Sequence, residues 1–352
     1  MRNCIFILFL LLVSCGQNNS NIRDLSTSSG LFNNNDIISN VDFVYLDASC
    51  VIGNIGKIRG FNGDFYIWDK QQKMIALFNK DGIYKDKLKR VGRGPQEYND
   101  IADFDICQST GKVFVLCGPP KILIFDKDLN FEKEITLESF YNAIAAYKDG
   151  VLLYSGEKGV IDYISFVDNS TKRIAKFSTD VKYMDKNVPC FIRSSEGLYF
   201  QDVISDVIYL IEEFKAIPIL EYDYPNRVKI QKEHRQKLLL SEERAKQSRP
   251  KVLCLLNIEN SLAFVYNNKD YRINIEKNGK SYDYTLGLIG LGRNIAKIDN
   301  ALVGCIYSHE YDSRYFAQKQ LFDGIQINKI DVTERMRDEG NPILIRYSLK
   351  ID

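Results

Sequence analysis

The chain has 352 residues, 45% of them hydrophobic, including 20 Phe and 21 Tyr. A core of that size excludes a disordered or fibrous protein, and all-β barrels and propellers reach this length as one unit. The 47 Lys and Arg against 46 Asp and Glu leave +1, which gives no indication of a nucleic-acid partner, and two histidines, His234 and His309, leave little for metal or acid–base chemistry.

Arg2 precedes a nine-residue apolar run, Ile5 to Val13. As a helix it rises about 13–14 Å, too short for a hydrocarbon core of about 30 Å. Residues 1–14 therefore read as a signal peptide rather than a transmembrane helix. The run ends in Leu12-Val13-Ser14-Cys15, which resembles the lipobox of bacterial lipoproteins. The resemblance implies cleavage before Cys15, a diacylglyceryl group on its thiol and an acylated new amino terminus. Cleavage removes Arg2 and leaves 46 charges of each sign. Residues 15–40 contain seven Asn and few large apolar groups, and are expected to form a polar tether. No second hydrophobic run approaches the length of a membrane span, so the acyl chains alone would provide the membrane contact. Gly16 after the cysteine resembles lipoproteins sent to an outer membrane. The tether lacks the early acidic cluster of surface-exported lipoproteins, so the periplasmic and surface faces both stay open.

From residue 41 onward, strand signals recur and long helical periodicity is nearly absent. Phe65 to Asp69 leads through a polar turn to Met74 to Gly82, and Val113 to Leu116 leads likewise to Ile122 to Asp128. Further copies start at Val151, Leu198, Leu262 and Ala301, giving steps of 48, 38, 47, 64 and 39 residues. That spacing suits four short strands per unit, and six such units stack radially as propeller blades. The expected fold is an all-β, six-bladed β-propeller over 41–352. A last strand, Asn341 to Leu349, is expected to pair with the strand at Val41 to Leu46 and close the ring without an open edge.

Cys50, Cys107, Cys117, Cys190, Cys254 and Cys305 show no C-x-x-C spacing, so they read as small core hydrophobes and neither a metal nor a cofactor is expected. With Gln108 to Gly111 as a turn, Cys107 faces Lys112 and Cys117 faces Ala102, too far apart for a disulfide. The long fourth step holds residues 226–251, with nine Lys and Arg against three Glu, bracketed by Pro225 and Pro250. It reads as a basic helical insertion, either packed as a solvated helix over the rim or facing an acidic glycan, phosphate or protein.

Val91-Gly92-Arg93-Gly94-Pro95-Gln96-Glu97-Tyr98 resembles the G-x-G-x-G-x-F/Y loop of NHL-type propeller repeats, departing from it at Gln96. With the lipobox and the terminal strand, the chain resembles the six-bladed β-propeller lipoproteins of the Bacteroidota over roughly residues 40–352. The resemblance implies a fold and an envelope location more than an activity. In the 91–98 loop, Arg93 and Glu97 are expected to form a structural pair locking adjacent blades, with Tyr98 beside them; the alternative is a charged rim offered to a ligand. Asp69 and Asp202 recur at matching repeat positions, where a carboxylate either stabilises a turn or binds a cation or sugar hydroxyl. His309 and Glu310 lie in the densest polar-aromatic cluster. No G-x-S-x-G, H-E-x-x-H or Gly-rich phosphate loop occurs. The leading expectation is a lipid-anchored binding or scaffold module with an envelope protein or glycan partner. A propeller hydrolase or lyase acting on an envelope or dietary polymer, and a sensor module for a membrane partner, are the alternatives.

Overall fold

The computed structural model describes residues 21–26, 28–177, 190–194, 196–202, 206–225, 250–258, 261–268, 270–286, 288, 295–307, 326–327 and 340–350. Two strands, β1 (Asn21–Asp24) and β2 (Ile38–Tyr45), precede the first blade. Blade one is β3 (Ile55–Phe61), β4 (Asp64–Asp69), β5 (Met74–Phe78) and β6 (Tyr84–Leu88). Blade two is β7 (Asp100–Ile106), β8 (Val113–Gly118), β9 (Lys121–Phe125) and β10 (Phe131–Thr136). Blade three is β11 (Ala143–Tyr147), β12 (Gly150–Ser155), β13 (Val160–Ser165) and β14 (Thr171–Lys176). Blade four is β15 (Phe191–Ser194), β16 (Gly197–Asp202), β17 (Val207–Glu212) and β18 (Lys215–Asp223). Blade five is β19 (Lys251–Ile258), β20 (Ser261–Asn268), β21 (Asp270–Lys277) and β22 (Lys280–Thr285). Blade six gathers β23 (Ala296–Ile298), β24 (Ala301–Ile306), β25 (Gln326–Ile327) and β26 (Ile343–Leu349) with β2 from the other end of the chain.

The six sheets make a six-bladed β-propeller, as the repeat spacing predicts. Each repeat start found in the sequence falls on the second strand of a blade, from β4 to β24. The helical insertion expected at 226–251 lies outside the described residues up to 249.

Blade-on-blade packing explains why these strands are apolar on both faces. In β4, Phe65 and Ile67 point toward blade six, where they meet Ile298, Val303 and Leu344, while Tyr66 and Trp68 point toward Phe104 and Val115 of blade two. In β8, Val113 and Val115 face blade one, and Phe114 and Leu116 face Ile144 and Leu153 of blade three. Successive strand residues point to opposite faces, so a blade with neighbours on both sides buries every position of its middle strands. The core of the described residues accordingly divides into six clusters, one per blade interface. Burying one such Phe or Ile contributes about 1.5–3 kcal/mol, so stability is spread around the ring.

Ring closure follows the expected pairing. β2 runs antiparallel to β26, with Phe43 opposite Ile345 and Tyr45 opposite Ile343. Asn341 secures the joint: its amide nitrogen donates to the carbonyls of Leu46, Asp47 and Cys50, and its oxygen accepts from the Ile52 amide at 2.7 Å.

Two expectations need correction. Residues 21–26 and 28–40, the described part of the 15–40 stretch expected to be a polar tether, are strapped to the propeller: β1 adds in parallel to β18 at the outer edge of blade four, and Ser29 and Phe32 donate backbone hydrogen bonds to Asp283 and Thr285 of blade five. The composition hid this because the apolar anchors are sparse, with Leu25, Phe32, Ile37 and Ile38 buried among polar neighbours. Arg23 is also buried; it meets Glu276 at 2.8 Å and donates to the Leu262 carbonyl. Cys117 pairs with Ile101 instead of Ala102, because Ala102 is the extra residue of a bulge between Ile101 and Asp103. Cys107 bonds across the turn to Lys112 as expected. Cys50, Cys117, Cys190, Cys254 and Cys305 are buried and Cys107 is half-buried.

Candidate functional site

The first strand of each blade lines the central channel, with β3, β7, β11, β15, β19 and β23 adjacent in that order. Such a strand exposes unpaired N–H and C=O groups along its inner edge, and these must find partners. Side chains from the neighbouring blade supply them. Asp103 and Asp105, two apart on β7 and so on one face, accept the amides of Ile144 at 3.0 Å and Ala146 at 2.9 Å, alternate residues on the edge of β11. On β19, Val252 donates to the Gln201 side-chain oxygen and its carbonyl accepts from the Gln201 nitrogen, so one amide replaces a strand partner.

The same two aspartates collect cations. Lys57 lies 2.6 Å from Asp103, and Arg59 lies 2.8 Å from one oxygen of Asp105. Arg193 of blade four reaches the other oxygen at 3.1 Å and donates to the Ala146 carbonyl. One carboxylate thus ties blades one, two, three and four. Burial alone would raise the Asp105 pKa, but the charges of Arg193, Arg59 and Lys57, with the Ala146 amide, outweigh it and hold the carboxyl well below the usual range. Burial and the neighbouring Arg59 push the Lys57 ammonium below its ordinary value.

Over this network opens a cavity of about 250 Å³ whose polar lining includes Arg59, Gln108, Arg193, Lys297 and Asp299. Phe191 and Leu253 contribute apolar wall. Gly60 permits the close approach of β3 to β23 there, since a Cβ would collide with Ile298. Cys254 also lines the cavity, but burial pushes its thiol up to about 12, so it is no nucleophile at neutral pH. Asp103 and Asp105 are committed to ion pairs and amides, so neither is poised as a general base, and Asp299 lies exposed at the rim. What the arrangement offers is donors and positive charge.

The residues singled out in the sequence lie elsewhere. Asp69 is fully buried and accepts the amides of Gly53, Asn54, Gln71 and Gln72, which makes it a turn-stabilising carboxylate. Asp202 ends β16, and its side chain lies outside the described residues, as do Cys15, His309 and Glu310. The 91–98 loop joins β6 to β7, but the Arg93–Glu97 pair is not formed. Arg93 is exposed, and the Glu97 carboxylate accepts the Gly94 amide at 2.7 Å. A Cβ at Gly92 would displace that carboxylate from its present position. The locking contacts come from others: Arg90 bonds Gln96 at 2.8 Å and lies over the Phe125 and Phe131 rings, the Gln96 amide donates to Glu134, and the fully buried Tyr98 donates its hydroxyl to the Lys73 carbonyl. Gln96, where the repeat pattern has its third glycine, takes a φ of 62°. The position keeps the glycine conformation without the glycine.

Among the described residues, no group of three or more His, Cys, Asp or Glu is placed to hold a metal, and no helix is long and apolar enough to cross a membrane.

Fold and channel together define a six-bladed β-propeller with a charged axial cavity. The chain belongs to the family described as a domain of unknown function, DUF4934, whose model matches residues 18–348. A crystal structure of a protein described as exported, from Bacteroides fragilis NCTC 9343, superposes with a TM-score of 0.70 at 16% identity, covering 94% of this chain and 99% of that one. A DUF4221 member from Bacteroides vulgatus superposes with a TM-score of 0.51 at 10% identity, covering 91% and 99%. No curated protein matches the chain.

Proposed function

We propose that the protein is a lipid-anchored binding propeller of the cell envelope, held to an outer membrane through Cys15, with the axial cavity as its ligand site. The observation that carries the binding reading is the cavity itself: it opens over Arg59 and Arg193, whose shared Asp105 carboxylate is already saturated. Arginine donors aimed by a saturated carboxylate suit recognition better than bond cleavage. The apolar run ending at Cys15, and the likeness to a protein described as exported, support the envelope location.

Two measurements test this reading. Cys15→Ala should leave the protein soluble or as uncleaved precursor, and continued lipid labelling of that variant would end the anchoring proposal. A thermal-shift screen of envelope sugars and peptides against wild type and Ser194→Trp addresses the site, since the indole would fill the cavity. Ligands that stabilise both proteins equally would place binding elsewhere.

A further inference from the structure

We infer that the axial cavity recognises an oxyanion, a carboxylate or phosphate carried by a molecule of about monosaccharide size; this rests on the binding reading above. The cavity holds unmatched charge and unmatched donors. Arg59 and Arg193 share the single carboxylate of Asp105, while Lys57 and Asp103 neutralise each other. Lys297, which lines the same cavity, makes no ion pair among the described residues, and Asp299 supplies the remaining negative charge at the rim. One positive charge is left over in a recess where water is restricted and Coulomb attraction is stronger than at an open surface.

The donors point the same way. Arg59 spends Nε on Asp105 and Nη1 on the Ile58 carbonyl, which leaves Nη2. Arg193 spends Nη2 on Asp105 and Ala146, which leaves Nε and Nη1. None of these nitrogens is both buried and without a partner, and both arginines line the cavity. Guanidinium forks anchored on one side by a carboxylate are pre-organised for a second oxyanion on the other. Asp105 therefore acts as a positioning residue that aims both arginines, and Phe191 and Leu253 offer an apolar wall to the uncharged part of the ligand.

The test is calorimetric titration of the full-length protein, purified from whichever cell fraction holds it, with glucuronate, glucose 6-phosphate and glucose as probes. At least one of the two anions should bind saturably and glucose should not; which anion binds identifies the source of the charge. Lys297→Gln, which disturbs no ion pair, should weaken the anion roughly tenfold or more, the loss of one charge-assisted hydrogen bond. Arg193→Gln should weaken it at least as much, with circular dichroism reporting whether the ring survives. If neither anion binds, or Lys297→Gln binds as tightly as wild type, the inference is overturned. Equal binding of glucose and the anions also overturns it, but leaves the cavity standing as a binding site.

Discussion

Asp105 on β7 and Arg193 on β15 meet at 3.1 Å although the whole of blade three lies between their strands in sequence. The contact is possible because the inner strands converge on the axis, and it makes the channel a structural joint as well as a recess. Removing the carboxylate charge leaves Arg59 and Arg193 facing each other without a counterion. Breaking a buried pair on one side costs about 3–5 kcal/mol. Asp105→Asn is expected to lower the urea midpoint substantially, and an unchanged midpoint would show that the joint carries no stability.

The same residue sets a pH dependence. The folded carboxyl of Asp105 titrates below its unfolded range of about 4. Its contribution is therefore fully present above that range and is lost as pH falls toward the folded value. Urea midpoints at about pH 7 and about pH 3 should converge between wild type and Asp105→Asn as the solution is acidified. Parallel loss in both proteins would assign the acid limb to other carboxylates.

Arg93→Ala should be nearly silent, within about 0.5 kcal/mol, because the side chain is exposed and unpaired among the described residues. Tyr98→Phe should cost about 1 kcal/mol, since it strands the Lys73 carbonyl without otherwise changing the packing. Chemical denaturation of both variants checks the order; a larger effect at Arg93 would restore it as the locking residue.

Gln201→Leu keeps the approximate volume but strips Val252 of both hydrogen bonds on the edge of β19. Leaving a buried amide and carbonyl unpaired costs about 1–3 kcal/mol each. Hydrogen exchange should quicken at Val252 first. Protection equal to wild type there would mean the edge finds another partner.

Arg23→Ala should loosen the N-terminal strap without opening the ring, because Arg23 holds β1 to blade five through Glu276 and Leu262. Limited proteolysis is expected to cut earlier between Asn21 and Asp36 while the remaining chain resists. Cleavage at the wild-type rate would assign the hold to Leu25 and Phe32.

Much of the architecture was legible because propeller blades bury their middle strands on both faces. Val113 to Leu116 and Leu262 to Tyr266 are apolar throughout, and each copy of that signal marks one blade. The inner strands are poorer in apolar residues and carry charge, so they and the channel they line give no comparable repeat signal. A signal was present: Lys57 and Arg59, then Asp103 and Asp105, alternate along strands that precede consecutive repeats, and both contacts span 46 residues. Opposite charges at matched positions of adjacent blades mark an axial ion-pair ladder. Arg193 and Lys297 gave no such cue, since β15 and β23 are short and their position on the axis follows only from ring closure. Composition misread the strap for a similar reason, because four anchors suffice to dock a chain that is polar elsewhere.

Sharing blade six between β2 and β26 also fixes an order of events. β2 lies near the start of the described fold and its partner near the end, so the Ile38–Tyr45 edge stays unmatched until Ile343–Leu349 docks. Blades one to five can form locally on the way, but the joint that Asn341 fastens cannot. A chain in which β26 has not docked carries an unpaired strand at one end and an unclosed sheet at the other, a combination prone to pair with a second copy of itself. Docking of β26, rather than completion of any single blade, is therefore the step that removes the exposed edge.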